Sequence, residues 1–361
     1  MFAKLMAALC LCFFISGFTA CGGSSGGGSN GHHFVFVTLP GANEVVGFNL
    51  SDNKGALTQF SGNPFVTGNS PAAVVVHPSG KLAYVANAAD DNISLYTISS
   101  SGVLTEVTPR TPAGLNPFCL ATDPTGSFLF VGNLTSNSLS VFSINSGSGA
   151  LSEVVGSPFP TASPIALLVT PSGKFLYVAN ANTATISAFT LSAGAPSPVQ
   201  GSPFSVGSSP SSLAVDPAER FLYETNLASG TFDGFSIDAT SGFLSPIFGS
   251  PFTAATHPKA VTFDPDGKFL YIANQGSSNI LAFTIDNTTG FPTAVTGSPF
   301  TTGSVPIALA TDPAGTFLYS LNQGSKNITG FSFDPSKGTL KANSQSQIST
   351  TAVPSSIFIT K

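Results

Sequence analysis

Lys259 and His257 flank Pro258 at a point where a recurring segment of the chain otherwise has no ionisable side chain. The slot of Lys259 is occupied in the other copies of this segment by Ala72, Phe118, Ile165, Ser211 and Ile307. A cation in this slot could bind a carboxylate or a phosphate. The alternative is a solvated lysine at the rim of the fold. The sequence therefore gives His257 and Lys259 as candidate catalytic residues.

Glu224 is a third candidate, because it is an acid in an otherwise apolar strand position. The equivalent residues of other copies are Val85, Val131, Val178 and Ile272. Burying an ionised carboxylate is costly unless the group is paired or protonated. Glu224 could therefore be a general base with a raised pKa. The alternative is an edge position from which the carboxylate reaches water or a backbone amide.

All three candidates lie within copies of one repeating unit, whose clearest segment is FLYVAN at residues 175–180. Six copies close on an Asn, and a seventh, degenerate copy is FVTL at residues 36–39. The closing residues are Asn87, Asn133, Asn180, Asn226, Asn274 and Asn322, at steps of 46 to 48 residues. A fixed period in this range indicates a repeat architecture.

Each repeat predicts four short strands and no helix. An apolar segment such as residues 210–217 is followed by a turn, and residues 264–267 (DPDG) have type I turn chemistry. The second strand, a polar loop, the third strand and a weaker fourth strand follow. Four antiparallel strands per unit form the blade of a β-propeller.

The two ends of the chain predict how the ring closes. Seven second strands are present, but only six complete first strands precede them. The missing one is at residues 354–360, where PSSIFIT aligns with PSSLAVD at residues 210–216. We therefore expect an all-β, seven-bladed propeller over residues 34–361, in which the C-terminal strand completes the first blade and removes the open edge.

The composition limits the function classes. Only 8% of residues are charged, and the net charge is −5, so no basic face for nucleic acid is expected. Cys119 is the one Cys beyond residue 21; with no cation nearby, a buried inert thiol is expected. The acidic run Asp90-Asp91-Asn92 has too few ligands for calcium. No cofactor or metal motif is present, and we expect a monomer.

The N-terminus has the pattern of a lipoprotein signal. Lys4 precedes an apolar run at residues 5–18 that is too short to span a membrane. The sequence FTAC at residues 18–21 resembles a bacterial lipobox, with Cys21 as the lipidated residue. We therefore predict a signal peptide at 1–20, a flexible Gly/Ser-rich tether at 21–33, and lipid anchoring in the bacterial cell envelope. An ordinary secretory signal is the alternative.

The repeated pattern D-P-x-G-K-F-L-Y-V-A-N, with a following N-x-I-x-x-F-x-I, resembles the YVTN-type and lactonase-like seven-bladed propellers. The resemblance covers residues 34–361 and implies the propeller fold. It also implies a possible activity, since the family includes 6-phosphogluconolactonases with ionisable side chains around the channel mouth. This chain has only two arginines, Arg110 and Arg220, and no match to a catalytic set.

This shortage of ionisable residues favours a non-catalytic binding module for a small-molecule or envelope-protein ligand. The alternative is a lactonase-like hydrolase of sugar lactones. Convergence of Glu224, His257 and Lys259 at one channel mouth would favour the hydrolase.

Overall fold

Residues 33–360, the part of the chain that the computed structural model describes, contain only β-strands as regular elements. The strands form seven antiparallel sheets. Each sheet corresponds to one sequence repeat, and we number them blades 1 to 7 in chain order. The innermost strand of each blade lies beside those of the preceding and following blades, and blade 7 lies beside blade 1. The predicted all-β, seven-bladed propeller is confirmed.

The three inner strands of every blade are regular. The innermost strands are Ser356–Ile359 in blade 1, then Pro71–Val76, Pro117–Thr122, Pro164–Val169, Pro210–Val215, Pro258–Phe263 and Pro306–Thr311. The second strands are His33–Leu39, Leu82–Asn87, Phe128–Asn133, Phe175–Asn180, Phe221–Asn226, Phe269–Asn274 and Phe317–Asn322. The third strands are Glu44–Leu50, Asn92–Ile98, Ser138–Ile144, Thr185–Ser192, Thr231–Ile237, Asn279–Ile285 and Asn327–Phe333.

The outermost strand is continuous in blades 2 and 7, at Leu104–Pro112 and Leu340–Ser349. In the other five blades it is two short pieces that both pair with the third strand. These pieces are Leu57–Gln59 and Phe65–Val66, Leu151–Glu153 and Phe159–Pro160, Ala195–Pro198 and Phe204–Ser205, Leu244–Pro246 and Phe252–Thr253, and Pro292–Ala294 and Phe300–Thr301.

The turn between the first and second strands follows from its sequence. In blade 6 the amide of Gly267 donates to the carbonyl of Asp264 at 3.0 Å, which closes the turn. Oδ1 of Asp264 accepts from the amide of Phe269 at 2.7 Å. The Asp side chain thus ties the turn to the start of the second strand, as its residue type predicts.

Adjacent blades are joined by apolar packing and by tyrosine hydrogen bonds. The hydroxyl of Tyr84 in blade 2 donates to the carbonyl of Gly149 in blade 3 at 2.8 Å. The same bond recurs from Tyr177, Tyr223, Tyr271 and Tyr319 to a glycine carbonyl of the next blade. Each of these tyrosines is fully buried, so its hydroxyl needs a partner.

The C-terminal strand closes the ring, as predicted. Ser356–Ile359 pairs with His33–Leu39, with Val35 opposite Ile359 and Thr38 opposite Ser356. Tyr319 of blade 7 donates to the carbonyl of Gly55 in blade 1 at 2.8 Å, which joins the last blade to the first. The first innermost strand is therefore contributed by the end of the chain.

Residues 32–361 form one compact unit. The described part includes every strand of the closed ring and the apolar clusters between its blades. It thus has the paired strands and the core that a domain needs to fold alone. The first strand begins at His33, one residue before the predicted start of the propeller. The predicted signal peptide, Cys21 and tether residues 21–32 lie outside the described residues.

Candidate functional site

A ring of seven residues lines the mouth of the central channel, one from each blade. In blades 2 to 7 it is the residue after the first Pro of the innermost strand, where each strand has a β-bulge. A bulge re-aims a side chain out of the regular pleat. Ser355 completes the set in blade 1. We call this set the mouth ring: Ala72, Phe118, Ile165, Ser211, Lys259, Ile307 and Ser355.

The mouth ring surrounds a cavity of about 1000 Å³. Small residues, among them Cys119 and Ser212, line the next layer of the innermost strands. The layer beyond is apolar in every blade: Val74, Leu120, Leu167, Leu213, Val261, Leu309 and Ile357. A cavity of this size and lining is typical of a small-molecule site.

Lys259 is the only charged side chain among the described residues that line the cavity. Within residues 33–360, no carboxylate lies within ion-pair distance of its Nζ. Partial burial lowers the pKa of the Lys259 ammonium, because desolvation disfavours the charged form. The structure therefore places at the channel mouth a cation that has no carboxylate partner in the described part of the chain.

Two amides lie in the lining beside this cation. Gln275 follows the second strand of blade 6, and Gln323 follows that of blade 7. Their backbone amides donate to the carbonyls of His257 and Val305 at 2.8 Å, which fixes the main chain at the mouth. Within the described chain neither carboxamide has a hydrogen-bond partner. We call Lys259, Gln275 and Gln323 the Lys259 cluster.

The opposite side of the mouth is mainly apolar, and Ser70 and Asn116 are its polar lining residues. In a ring of seven blades, blades 6 and 7 lie across from blades 2 to 4. The mouth-ring residues there are Ala72, Phe118 and Ile165, which we call the apolar arc. Cys119 lies directly below Phe118, and burial raises the pKa of its thiol to about 12. Cys119 is therefore a poor nucleophile at neutral pH, as its sequence context predicts.

Glu224 lies behind the mouth ring and not in it. Its side chain is fully buried, and Oε1 accepts from the amide of the mouth-ring residue Ser211 at 3.2 Å. Oε2 has no hydrogen-bond partner within residues 33–360. Asp233 is directly opposite on the adjacent strand. Burial, and secondarily the charge of Asp233, hold the pKa of Glu224 well above its usual range.

Ser211 connects Glu224 to the strand that carries Lys259. The Ser211 hydroxyl donates to the carbonyl of Pro258 at 3.1 Å, across the boundary between blades 5 and 6. The same hydroxyl is 2.9 Å from Oγ1 of Thr225. Glu224 thus contacts the channel wall through one residue and has no direct contact with the cavity.

His257 is placed apart from the other two candidates. It is exposed, and it is not among the residues that line the cavity. Its φ of 53° is shared by the residue before the first Pro of the other innermost strands of blades 2 to 7, from Ser70 (55°) to Val305 (56°). His257 therefore occupies a scaffold turn. Of the three sequence candidates, Lys259 lines the channel, Glu224 supports its wall and His257 lies outside it.

Three residues of the site were not found from sequence. Gln275 and Gln323 follow the closing Asn of the second strand, where other repeats have Ala88, Leu134 and Ala181. This difference between repeats could have identified them from the sequence. Asp233 occupies a third-strand position that holds Ser94, Ser140, Ser187 and Thr329 in other blades. Comparing third strands as well as second strands would have paired it with Glu224.

Residues 33–360 contain neither a metal site nor a membrane-spanning helix. This part of the chain contains no group of three or more His, Cys, Asp or Glu residues arranged to hold a metal ion. It also contains no helix long and apolar enough to span a membrane.

Similar structures support the fold. A protein proposed to be a 6-phosphogluconolactonase from Bacteroides uniformis is 20% identical, with a TM-score of 0.80 over 91% of this chain and 99% of that one. A protein of the same proposed activity from Bacteroides fragilis is 21% identical, with a TM-score of 0.80 over 93% and 100%. The periplasmic gluconolactonase of Pseudomonas aeruginosa is 19% identical, with a TM-score of 0.76 over 91% and 99%.

No curated protein matches the sequence. The family described as "Lactonase, 7-bladed beta-propeller" matches at residues 29–168, 157–251 and 246–357. These segments span almost the whole propeller, and they include the mouth ring and the Lys259 cluster. The chain therefore belongs to the seven-bladed lactonase β-propeller family.

Proposed function

We propose that this protein hydrolyses a lactone bound at the Lys259 cluster. The observation that carries the proposal is the Lys259 ammonium at the mouth of the channel, which has no carboxylate partner within residues 33–360, in a chain of the lactonase propeller family. The proteins of similar fold from Bacteroides uniformis and Pseudomonas aeruginosa, named after lactonase activities, agree with it. Membership of the lactonase family favours hydrolysis over the binding module that the composition suggested, although Glu224, His257 and Lys259 do not converge at the channel mouth.

The chemistry requires stabilisation of one developing charge. A water oxygen forms a bond to the acyl carbon, the ring C–O bond breaks, and a water proton passes to the released alkoxide. Negative charge develops on the carbonyl oxygen before the ring opens. In a largely apolar cavity, the Lys259 ammonium and the carboxamide N–H groups of Gln275 and Gln323 would stabilise that oxyanion. The reaction needs no oxidant or other co-reactant.

Glu224 would act on the wall of the site and not on the substrate. Its Oε1 holds the amide of Ser211, whose hydroxyl in turn holds the strand of Lys259. A glutamine at position 224 keeps the acceptor oxygen. We therefore expect Glu224→Gln to retain activity, and we expect Lys259→Ala to lose about 10²-fold or more in kcat/KM.

The test is lactone hydrolysis by residues 32–361, with spontaneous ring opening subtracted. The panel contains 6-phosphogluconolactone, gluconolactone and aliphatic γ-lactones. Lys268→Ala is the matched control, because Lys268 is an exposed lysine whose Nζ contacts the carbonyl of Ser336, away from the channel lining. Activity that falls with Lys259→Ala and not with Lys268→Ala supports the proposal. No activity from a cooperatively melting protein refutes it.

A ligand-binding module is the second candidate. It is favoured by the absence of any carboxylate or imidazole among the described residues that line the cavity, so no side chain there is an evident base beyond Lys259 itself. Such a protein would bind its ligand in the same cavity and release it unchanged. Binding of a lactone with no turnover in the assay above would favour this candidate.

We further propose a location in the cell envelope through a lipid on Cys21, with the propeller as a monomer. The FTAC sequence at residues 18–21 supports this, as does the periplasmic location named for the Pseudomonas protein. Metabolic labelling with a radioactive fatty acid tests the anchor. Label on the parent that is lost with Cys21→Ser supports it, and an unlabelled parent contradicts it.

A further inference from the structure

The two sides of the channel mouth differ in chemistry, and this difference restricts the ligand. The Lys259 cluster presents one cation and two carboxamides without partners in residues 33–360. The apolar arc, across the ring, presents Ala72, Phe118 and Ile165 to the same cavity, and the polar lining on that side is limited to Ser70 and Asn116. A carbohydrate has hydroxyl groups on all sides, and burying them against Phe118 and Ile165 without hydrogen bonds is unfavourable.

The deeper part of the cavity continues the apolar arc. In blades 2 to 4 the layers beneath it are Ala73 and Val74, Cys119 and Leu120, and Ala166 and Leu167. Burial keeps the Cys119 thiol neutral, so it behaves as a small apolar group. An apolar chain that passes the mouth ring on this side would thus meet apolar contacts along its length.

We propose that the channel binds an alkyl-substituted lactone and its ring-opened hydroxy acid, with the acyl group at the Lys259 cluster and the alkyl chain along the apolar arc. As a substrate assignment, this rests on the proposed function. As a binding assignment, it stands on the two-sided cavity alone. The hydroxy acid is the better probe, because its carboxylate is stable and complements the Lys259 ammonium.

Chain-length dependence is the central measurement. Isothermal titration of residues 32–361 with 4-hydroxypentanoate, 4-hydroxyoctanoate and 4-hydroxydecanoate compares one head group with three tails. Each additional buried methylene should lower Kd by about four-fold until the chain outgrows the cavity. Gluconate and 6-phosphogluconate, which present the same carboxylate without an alkyl chain, should bind more weakly than the decanoate.

Variants separate the head and tail contacts. Phe118→Gln and Ile165→Thr should reduce the dependence of Kd on chain length, because they remove apolar contacts from the arc. Ile307→Thr, in the mouth ring beside the Lys259 cluster, should reduce this dependence less, because Ile307 lies outside the apolar arc. Phe248→Gln is the control for non-specific binding, since Phe248 is an exposed aromatic residue of the outer surface. Lys259→Met should weaken all three hydroxy acids by a similar factor.

Chain-length dependence that falls more in the arc variants than in Ile307→Thr, and is unchanged in Phe248→Gln, supports the inference. Kd values that do not change with chain length, or gluconate bound as tightly as 4-hydroxydecanoate, overturn it. The two proposals fail separately. Chain-length-dependent binding without hydrolysis of the matching γ-lactones overturns only the hydrolase. Hydrolysis of 6-phosphogluconolactone without chain-length dependence overturns only this assignment.

Discussion

Glu224 and Ser211 join the interior of blade 5 to the channel wall. Oε1 of Glu224 accepts from the backbone amide of Ser211 at 3.2 Å, and Oε2 has no partner within the described residues. Oδ1 of Asn226, which is on the same face of the same strand, also has none. A proton on the Glu224 carboxyl would supply a hydrogen-bond donor at this buried position, and it would remove the repulsion with Asp233.

The pH dependence of stability should reveal this proton. The folded-state pKa of Glu224 is raised, so the native protein binds more protons than the unfolded chain at pH values between the ordinary Glu pKa, about 4.3, and the raised one. The free energy of unfolding therefore falls as pH rises through that window. Glu224→Gln should remove this dependence and raise the melting temperature at pH 7 above that of the parent.

Urea unfolding at several pH values between 4 and 8 measures the effect. Glu153→Gln is the matched control, because Glu153 is exposed and accepts from the Ser157 hydroxyl at 2.8 Å. An unchanged pH dependence in Glu224→Gln would show that the carboxyl is not protonated in the native protein.

Lys259 should lower the free energy of unfolding, although it contributes to the proposed binding of ligand in the channel. An uncompensated, partly buried ammonium is unfavourable, so Lys259→Met should stabilise the fold by on the order of 1 kcal/mol at pH 7. Because the folded-state pKa of Lys259 is lowered, the native protein loses this proton before the unfolded chain does. Stability of the parent should therefore rise with pH up to about 10.4, the ordinary Lys value, and this component should be absent in Lys259→Met.

Thermal melts between pH 8 and 10 test this, with Lys268→Met as the exposed control. A Lys259→Met protein that is less stable than the parent would mean that the lysine stem contributes packing that outweighs the cost of its charge.

The tyrosine hydrogen bonds between blades should contribute different amounts to the free energy of unfolding. The carbonyl of Gly149 accepts from Tyr84, whereas the carbonyl of Gly55 accepts from both Tyr319 and the hydroxyl of Ser346. Tyr84→Phe leaves its acceptor without that bond and should cost about 1–3 kcal/mol. Tyr319→Phe leaves Gly55 with a partner and should cost about 1 kcal/mol or less. Equal losses in denaturant unfolding would contradict this reasoning.

Removal of residues 354–361 should open the ring. The deletion removes the four residue pairs between the innermost and second strands of blade 1. It also removes the hydrogen bond of 2.7 Å between the hydroxyls of Thr38 and Ser355. We expect a loss on the order of 5 kcal/mol and a broader thermal transition. Addition of a synthetic peptide of residues 354–361 should partly restore the parent melting temperature. A truncated protein with the parent melting temperature would show that the strand is dispensable.

The repeat predicted the fold because every blade uses similar residues at the same positions for packing and for turn formation. A turn such as Asp264–Gly267 and a buried Tyr are local features, and their spacing is visible in the sequence. The site is harder to predict, because it consists of departures from the repeat that meet only when the ring closes. Lys259 could be identified from the sequence as such a departure. The absence of a carboxylate near it within residues 33–360 depends on the folded ring and could not be predicted.

Glu224 and His257 show the same limit. Glu224 was a departure from an apolar strand, but its partner Asp233 is on the next strand and its contact with Ser211 crosses to the innermost one. His257 differs from the equivalent residues of other blades in residue type only, because its left-handed backbone conformation is the same as theirs. Of the three candidates, only Lys259 lies at a β-bulge of an innermost strand and lines the cavity.

The first and last strands of the propeller are hydrogen-bonded neighbours, and the amide of Phe34 donates to Oγ1 of Thr360 at 2.8 Å. The point at which the polypeptide enters the ring is thus also the point at which it leaves. Any of the six turns between the first and second strands of blades 2 to 7 could serve as that point in a circularly permuted chain with the same channel. Moving the termini around the ring would change which blade lies next to a fused or anchored partner, and the direction in which the channel mouth faces, without altering the residues that line it.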